Sequence, residues 1–132
     1  MYRAKNVPNE GNIVEGVLLD PAQLARVAVN TASDKKASDV LLLDIRDVTT
    51  IADYFVICSG NNPRQIQTIA DTVDEELSKQ GALLLHREGD AETGWILLDF
   101  GDIIVHIFSQ KEREYYRIER LWSDAKTVVY LQ

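Results

Sequence analysis

Two apolar runs separated by Gly-Asp, residues 95–100 and 103–108, constrain this chain more than any other stretch. Glycine in the first position of a two-residue loop suits a type II′ turn, whose twist matches that of paired strands. With Gly101 and Asp102 as the loop, the register follows: Phe100 opposite Ile103, Leu98 opposite Val105, Ile96 opposite Ile107. Side chains alternate between the faces of a strand, so those six share one wholly aliphatic and aromatic face. The other face pairs Asp99 with Ile104, Leu97 with His106, and Trp95 with Phe108. The first face reads as core. The second is apolar but interrupted by Asp99 and His106.

The elements around this hairpin follow from local signals. Asp20-Pro21 is an N-cap followed by proline at the first helical position, and Leu24, Val27, Ala28 and Thr31 follow at helical spacing up to Lys35-Lys36. Val40–Ile45 and Tyr54–Cys58 are apolar without alternation, as strands buried on both faces are. Asn62-Pro63 repeats the helix-start signal, with Ile66, Ile69, Ala70, Val73 and Leu77 as one stripe and Gly81 at the C-terminal cap. Ala82–His86 predicts a strand, followed by a polar loop through Gly94. Glu112–Trp122 predicts a last helix with Tyr115, Ile118 and Trp122 on one side, and residues 127–131 read as either a short strand or a surface drape. The expectation is an α/β fold, a mixed sheet of about five strands flanked by helices. Residues 1–19 read as a flexible extension, 20–122 as the domain and 123–132 as a tail.

Composition narrows the function. The chain has 132 residues and is 45% hydrophobic, enough to bury one core. The single Cys58 excludes a disulfide scaffold and a cysteine-rich zinc module; inside an apolar run it reads as a small buried hydrophobe. No apolar run approaches the roughly 20 residues that cross a bilayer, and the first 19 residues lack the marks of a transit or secretory peptide, so a cytoplasmic protein is expected. The net charge of −7 argues against direct nucleic-acid binding. Its distribution is uneven: residues 66–110 hold Lys79 and Arg87 against nine acids, which accounts for the whole imbalance. That segment reads as a solvated acidic face or as a surface for a basic protein partner.

Catalytic constellations are missing from the sequence. The turn Cys58–Asn62 leads into a helix, where backbone N–H groups favour anions, but it has neither a Walker pattern nor G-x-G-x-x-G. Nucleotidyltransferases share this layout but need two strand-borne carboxylates spaced by two for their metal ions. Asp71 and Asp74 lie on a helix at a spacing of three, and Asp99 and Asp102 straddle a tight turn. His86 and His106 are the only histidines; His106 is expected to be satisfied structurally, by Asp99 across the sheet or by a helix. No enzyme, cofactor or metal is expected. What remains is an aromatic–acidic surface, with Trp95, Trp122 and Tyr116 as core fillers or interface anchors.

The run Trp95–Phe108, then Arg113-Glu-Tyr-Tyr116 and Ile118–Trp122, resembles the ribosomal silencing factor family, also called Iojap-related proteins. Asp53–Gly60, Arg64-Gln-Ile and Ile69-Ala-Asp71 agree, and the resemblance spans about residues 21–122. It implies a nucleotidyltransferase-like topology without the catalytic carboxylates. It further implies binding to the large ribosomal subunit through its fourteenth protein, steric blocking of subunit joining, lowered translation under nutrient scarcity, and a part in large-subunit assembly. Partner-binding roles carry onto Trp95, Asp99, Phe100, Gly101, Asp102 and Ile104, while Arg113, Tyr116 and Glu119 match the later block as interface or scaffold. The hairpin register places Phe100 on the core face, in tension with such a role. Two alternatives stand beside this reading: a nucleotide-binding or nucleotidyltransferase-like enzyme using the Ser59–Asn62 turn, and a homodimeric scaffold.

Overall fold

The computed structural model describes residues 19–132, so the extension expected over residues 1–19 falls outside it except for Leu19. The elements run α1 (Pro21–Asp34), β1 (Ser38–Asp44), β2 (Tyr54–Gly60), α2 (Pro63–Lys79), β3 (His86–Asp90), β4 (Trp95–Asp99), β5 (Ile103–Ser109), α3 (Gln110–Tyr116), α4 (Ile118–Leu121) and β6 (Lys126–Leu131). The six strands form one mixed sheet in the order β3-β4-β5-β2-β1-β6. Only β2 and β5 pair in parallel; the other neighbours are antiparallel.

Both helix starts form as their sequences dictate. The Asp20 carboxylate accepts from the Gln23 N–H at 2.8 Å while the Gln23 side chain accepts from the Asp20 N–H at 2.9 Å, a reciprocal capping box. Asn62 caps α2 by accepting from the Gln65 N–H at 2.8 Å. The α2 stripe Ile66, Ile69, Ala70, Val73 and Leu77 is buried as expected. It packs with α1 over one sheet face, meeting Val56 and Cys58 of β2, Ile96 and Leu98 of β4, and Ile103, Val105 and Ile107 of β5. The second face carries a smaller cluster, Leu43, Ile45, Phe55, Ile57 and Phe108 with Ile118 of α4, against which Trp95, Ile104 and Trp122 lie half-buried.

The hairpin has the predicted register, with Leu98 opposite Val105, Asp99 opposite Ile104 and Trp95 opposite Phe108. Gly101 adopts φ +90°, a conformation that L side chains resist and that a II′ turn requires at this position. The Asp99 carboxylate accepts from the Gly101 N–H at 2.7 Å and braces the turn.

Three expectations are corrected. Ala82–Leu85 do not form the predicted strand: Ala82 and Leu84 pack on the helix-side core, and the ladder starts at the polar, exposed His86–Asp90. An edge strand is held by backbone hydrogen bonds, which leave no apolar signature. The predicted helix over 112–122 is broken at Arg117, whose φ of 46° and ψ of 47° are left-handed. The break lets Glu119 fold back onto Arg113; in one continuous helix, residues six apart lie about 120° apart around the axis and about 9 Å apart along it, and do not meet. Tyr115, expected to align with Ile118 and Trp122, is instead 77% exposed. Residues 127–131, read as strand or drape, lie in β6 and pair with β1.

Candidate docking face

Alternation along β4 and β5 puts Trp95, Leu97, Asp99, Ile104 and His106 on the sheet face away from α1 and α2. Only part of this face is roofed by α3 and α4, and the β4 side stays open: Trp95, Leu97, Asp99 and Ile104 are all half-buried. At its centre is an aromatic assembly. The Trp95 ring lies 4.6 Å from Tyr116, 4.8 Å from Phe108 and 5.9 Å from His106, centroid to centroid. Beneath them, Phe55 meets His106 edge-on at 5.0 Å and Trp122 at 5.2 Å. Such contacts fix ring orientation as well as burying area.

His106 is 5% exposed and does not pair with Asp99 as expected; it stands opposite Leu97. Its partner is the indole: Trp95 Nε1 donates to His106 Nδ1 at 3.3 Å. With Nδ1 accepting, the ring proton sits on Nε2, which is buried without a hydrogen-bond partner among the described residues. Burial among aromatic rings pushes the pKa down to about 4, so the ring is neutral at physiological pH. It acts as a neutral prop under Trp95.

The remaining residues carried over from the sequence divide into two groups. Asp102 and Gly101 form the hairpin tip, where the Asp102 carbonyl accepts from the N–H groups of Asp53 at 2.8 Å and Tyr54 at 3.1 Å. Burial, and then the nearby Asp102 charge, raise the pKa of Asp53. Phe100 packs against the helix-side core, across the sheet from Trp95. Arg113 and Glu119 sit away from the tip: Arg113 Nε donates to Glu119 at 3.2 Å and Nη1 to Ser59 Oγ at 3.0 Å, with only 11% of the Arg113 side chain exposed. They tie α3 and α4 to the end of β2. Tyr116, 43% exposed, is the one member of the later block that reaches the Trp95 face. Sequence reasoning placed Leu97 on this face without counting it as a contact, and it missed Glu88 of β3 and Glu112 of α3, which flank Trp95. Neither glutamate belongs to a motif; only the packing of β3 and α3 brings them there.

The Ser59–Asn62 turn is occupied by the protein's own groups. Ser59 Oγ accepts from Arg113, the Asn61 N–H donates to Gln65 Oε1, and a Cβ on Gly60 would meet Ile66 Cγ1 at 2.9 Å. Cys58 is fully buried, and that burial pushes its thiol up to about 12. Asp71, one of the carboxylates weighed for metal binding, pairs with Arg87 at 3.1 Å. No helix among the described residues is long and apolar enough to cross a membrane.

These features describe an α/β protein whose mixed sheet is covered by helices on one face and displays an aromatic–acidic surface on the other. The family model described as "Ribosomal silencing factor during starvation" matches residues 19–132. The ribosomal silencing factor RsfS of Halalkalibacterium halodurans is 42% identical over 106 residues, covering 80% of this chain and 91% of that protein. That of Bacillus subtilis is 38% identical, over 81% of this chain and 91% of the relative. The chloroplastic protein Iojap of Zea mays is 31% identical over 83% of this chain and 49% of its own length. Among solved structures, a Chromobacterium violaceum protein superposes with a TM-score of 0.77 at 28% identity, covering 80% of this chain and 88% of that one. A Bacillus halodurans protein does so with a TM-score of 0.71 at 38% identity, covering 82% and 98%. The chain belongs to the ribosomal silencing factor family.

Proposed function

We propose that this chain represses translation by occupancy, without chemistry: it docks on the fourteenth protein of the large ribosomal subunit and sterically blocks the small subunit from joining. The open Trp95 face carries the reading. A half-buried tryptophan held by Phe108, Tyr116 and His106 is a rigid, large-area anchor of the kind that dominates interface energetics. Leu97 and Ile104 extend the apolar centre, and Asp99 and Asp102 at the hairpin tip add negative charge to its rim. On a particle made mostly of RNA, an acidic rim is attracted to basic protein and repelled by phosphate, which favours a ribosomal protein as the contact. Trp95, Asp99, Gly101, Asp102, Ile104 and Tyr116 make that contact, Phe100 seats the tip on the core, and Arg113 with Glu119 hold the frame. The protein acts in the cytoplasm, as a regulator under nutrient limitation.

Subunit reassociation followed by light scattering tests this. The wild-type protein lowers the rate and extent of reassociation, and it co-sediments with large subunits. Trp95→Glu keeps the wild-type circular dichroism spectrum but loses co-sedimentation by at least about 100-fold in affinity, as hot-spot substitutions of this kind do. A folded Trp95→Glu variant that blocks rejoining normally removes this face from the mechanism.

A further inference from the structure

Beside Trp95 the open face sinks into a cleft of ≈ 260 Å³ lined by Trp95, Leu97, Tyr116, Glu88 and Glu112. We propose that this cleft receives one lysine or arginine side chain of a basic protein partner. The inference rests on the docking role of this face and deepens it by naming the group recognised.

The lining matches the two ends of such a side chain. Leu97 and the rings of Trp95 and Tyr116, inclined at 49° with centroids 4.6 Å apart, offer apolar surface to the methylene stem. The same rings attract a cation over their faces. Glu88 and Glu112 supply charge from separate elements, β3 and α3. Among the described residues neither pairs with lysine or arginine: Glu88 contacts only His86, at 3.1 Å. Four other carboxylates do have such a partner, Asp71 in Arg87, Glu76 in Lys79, Asp44 in Arg46 and Glu119 in Arg113. What sets Glu88 and Glu112 apart is their place beside the aromatic wall, where both face the one cleft and neither is taken by a lysine or arginine among the described residues.

Size and rigidity agree. The cleft lies below the roughly 300 Å³ where pockets for drug-sized ligands begin, so it suits a single side chain. Glu112 is set in place from below: Ser109 Oγ accepts from its N–H at 3.1 Å, and Gly94 leaves room for its side chain, since a Cβ there would stand 2.7 Å from Glu112 Cγ. Trp95 is held by His106. A preformed cleft loses little entropy on filling.

The test compares two full-length double variants that remove the same charge from different places. Glu88→Gln with Glu112→Gln alters the cleft; Asp74→Asn with Glu75→Gln alters α2 on the opposite side of the sheet. Affinity for purified large subunits is measured across a salt series. The cleft variant binds about tenfold more weakly at low salt with a shallower salt dependence, and the α2 variant stays within about twofold of wild type. Equal affinities for the two variants overturn the cleft while leaving the docking face intact. If the wild type itself fails to bind large subunits, the docking reading falls, and N-acetyl-arginine amide then decides the cleft through the indole NMR signal of Trp95. A saturable shift that the cleft variant loses upholds it; no shift in the wild type overturns it.

Discussion

Replacing His106 with glutamine isolates the energetic consequence of burying an imidazole under Trp95. In the unfolded chain this histidine takes up a proton near its ordinary 6.5, whereas in the folded protein burial holds it neutral down to about 4. Between those values the unfolded state binds more protons than the folded state, so acidification favours unfolding. The contribution is fully present above pH 6.5, declines as pH falls through the window, and levels off below about 4. At 1.36 kcal/mol for each pH unit separating the two values, it amounts to about 3 kcal/mol. Glutamine does not titrate and keeps an acceptor within reach of the indole, though it loses ring contacts with Phe55 and Phe108. Urea unfolding followed by far-ultraviolet circular dichroism at pH 7.0 and 4.5 measures the effect. Each protein's stability difference between the two pH values is formed first, so carboxylates and the exposed His86, common to both, cancel. The wild type should lose about 2–3 kcal/mol more than His106→Gln on this acidification, although the variant is the less stable at pH 7. Losses equal to within about 0.5 kcal/mol mean that His106 charges freely in the folded state and that the neutral prop is wrong.

Other consequences follow from single contacts. Gly94→Ala forces a side chain into φ +86° and against Glu112 and Ser109, and should lower unfolding free energy by about 1–3 kcal/mol in the same urea assay. Arg113→Met removes the partner of a Glu119 carboxylate whose Oε1 is already buried without one among the described residues; a loss of about 2 kcal/mol is expected, and Glu119→Gln in the same chain should recover part of it. Cys58 should resist a thiol reagent at pH 8 for as long as the protein stays folded and react fully in urea, because burial suppresses its thiolate; rapid labelling of the native protein contradicts that.

The sequence of this protein determined those features whose causes are local or periodic. A Gly-Asp loop between two alternating runs leaves one hairpin register, since a slip by one residue would turn every core side chain to the opposite face. Asp20-Pro21 and Asn62-Pro63 mark helix starts because the capping acceptor and the restricted φ both lie within a turn of the site they control. The ordered blocks around Trp95 carried the family as well. Tertiary structure decided what depends on partners distant in sequence. The edge strand His86–Asp90 is held by a backbone ladder, and its side chains carry no pattern of it. The left-handed break at Arg117 is stabilised by Glu119 returning to an Arg113 that also reaches Ser59 of β2. His106 found the Trp95 indole in place of Asp99, because side-chain reach across the sheet, and not strand register alone, selects hydrogen-bond partners. Glu88 and Glu112 become neighbours of Trp95 only when β3 and α3 converge on it, and a cleft is a property of that convergence that no linear pattern encodes.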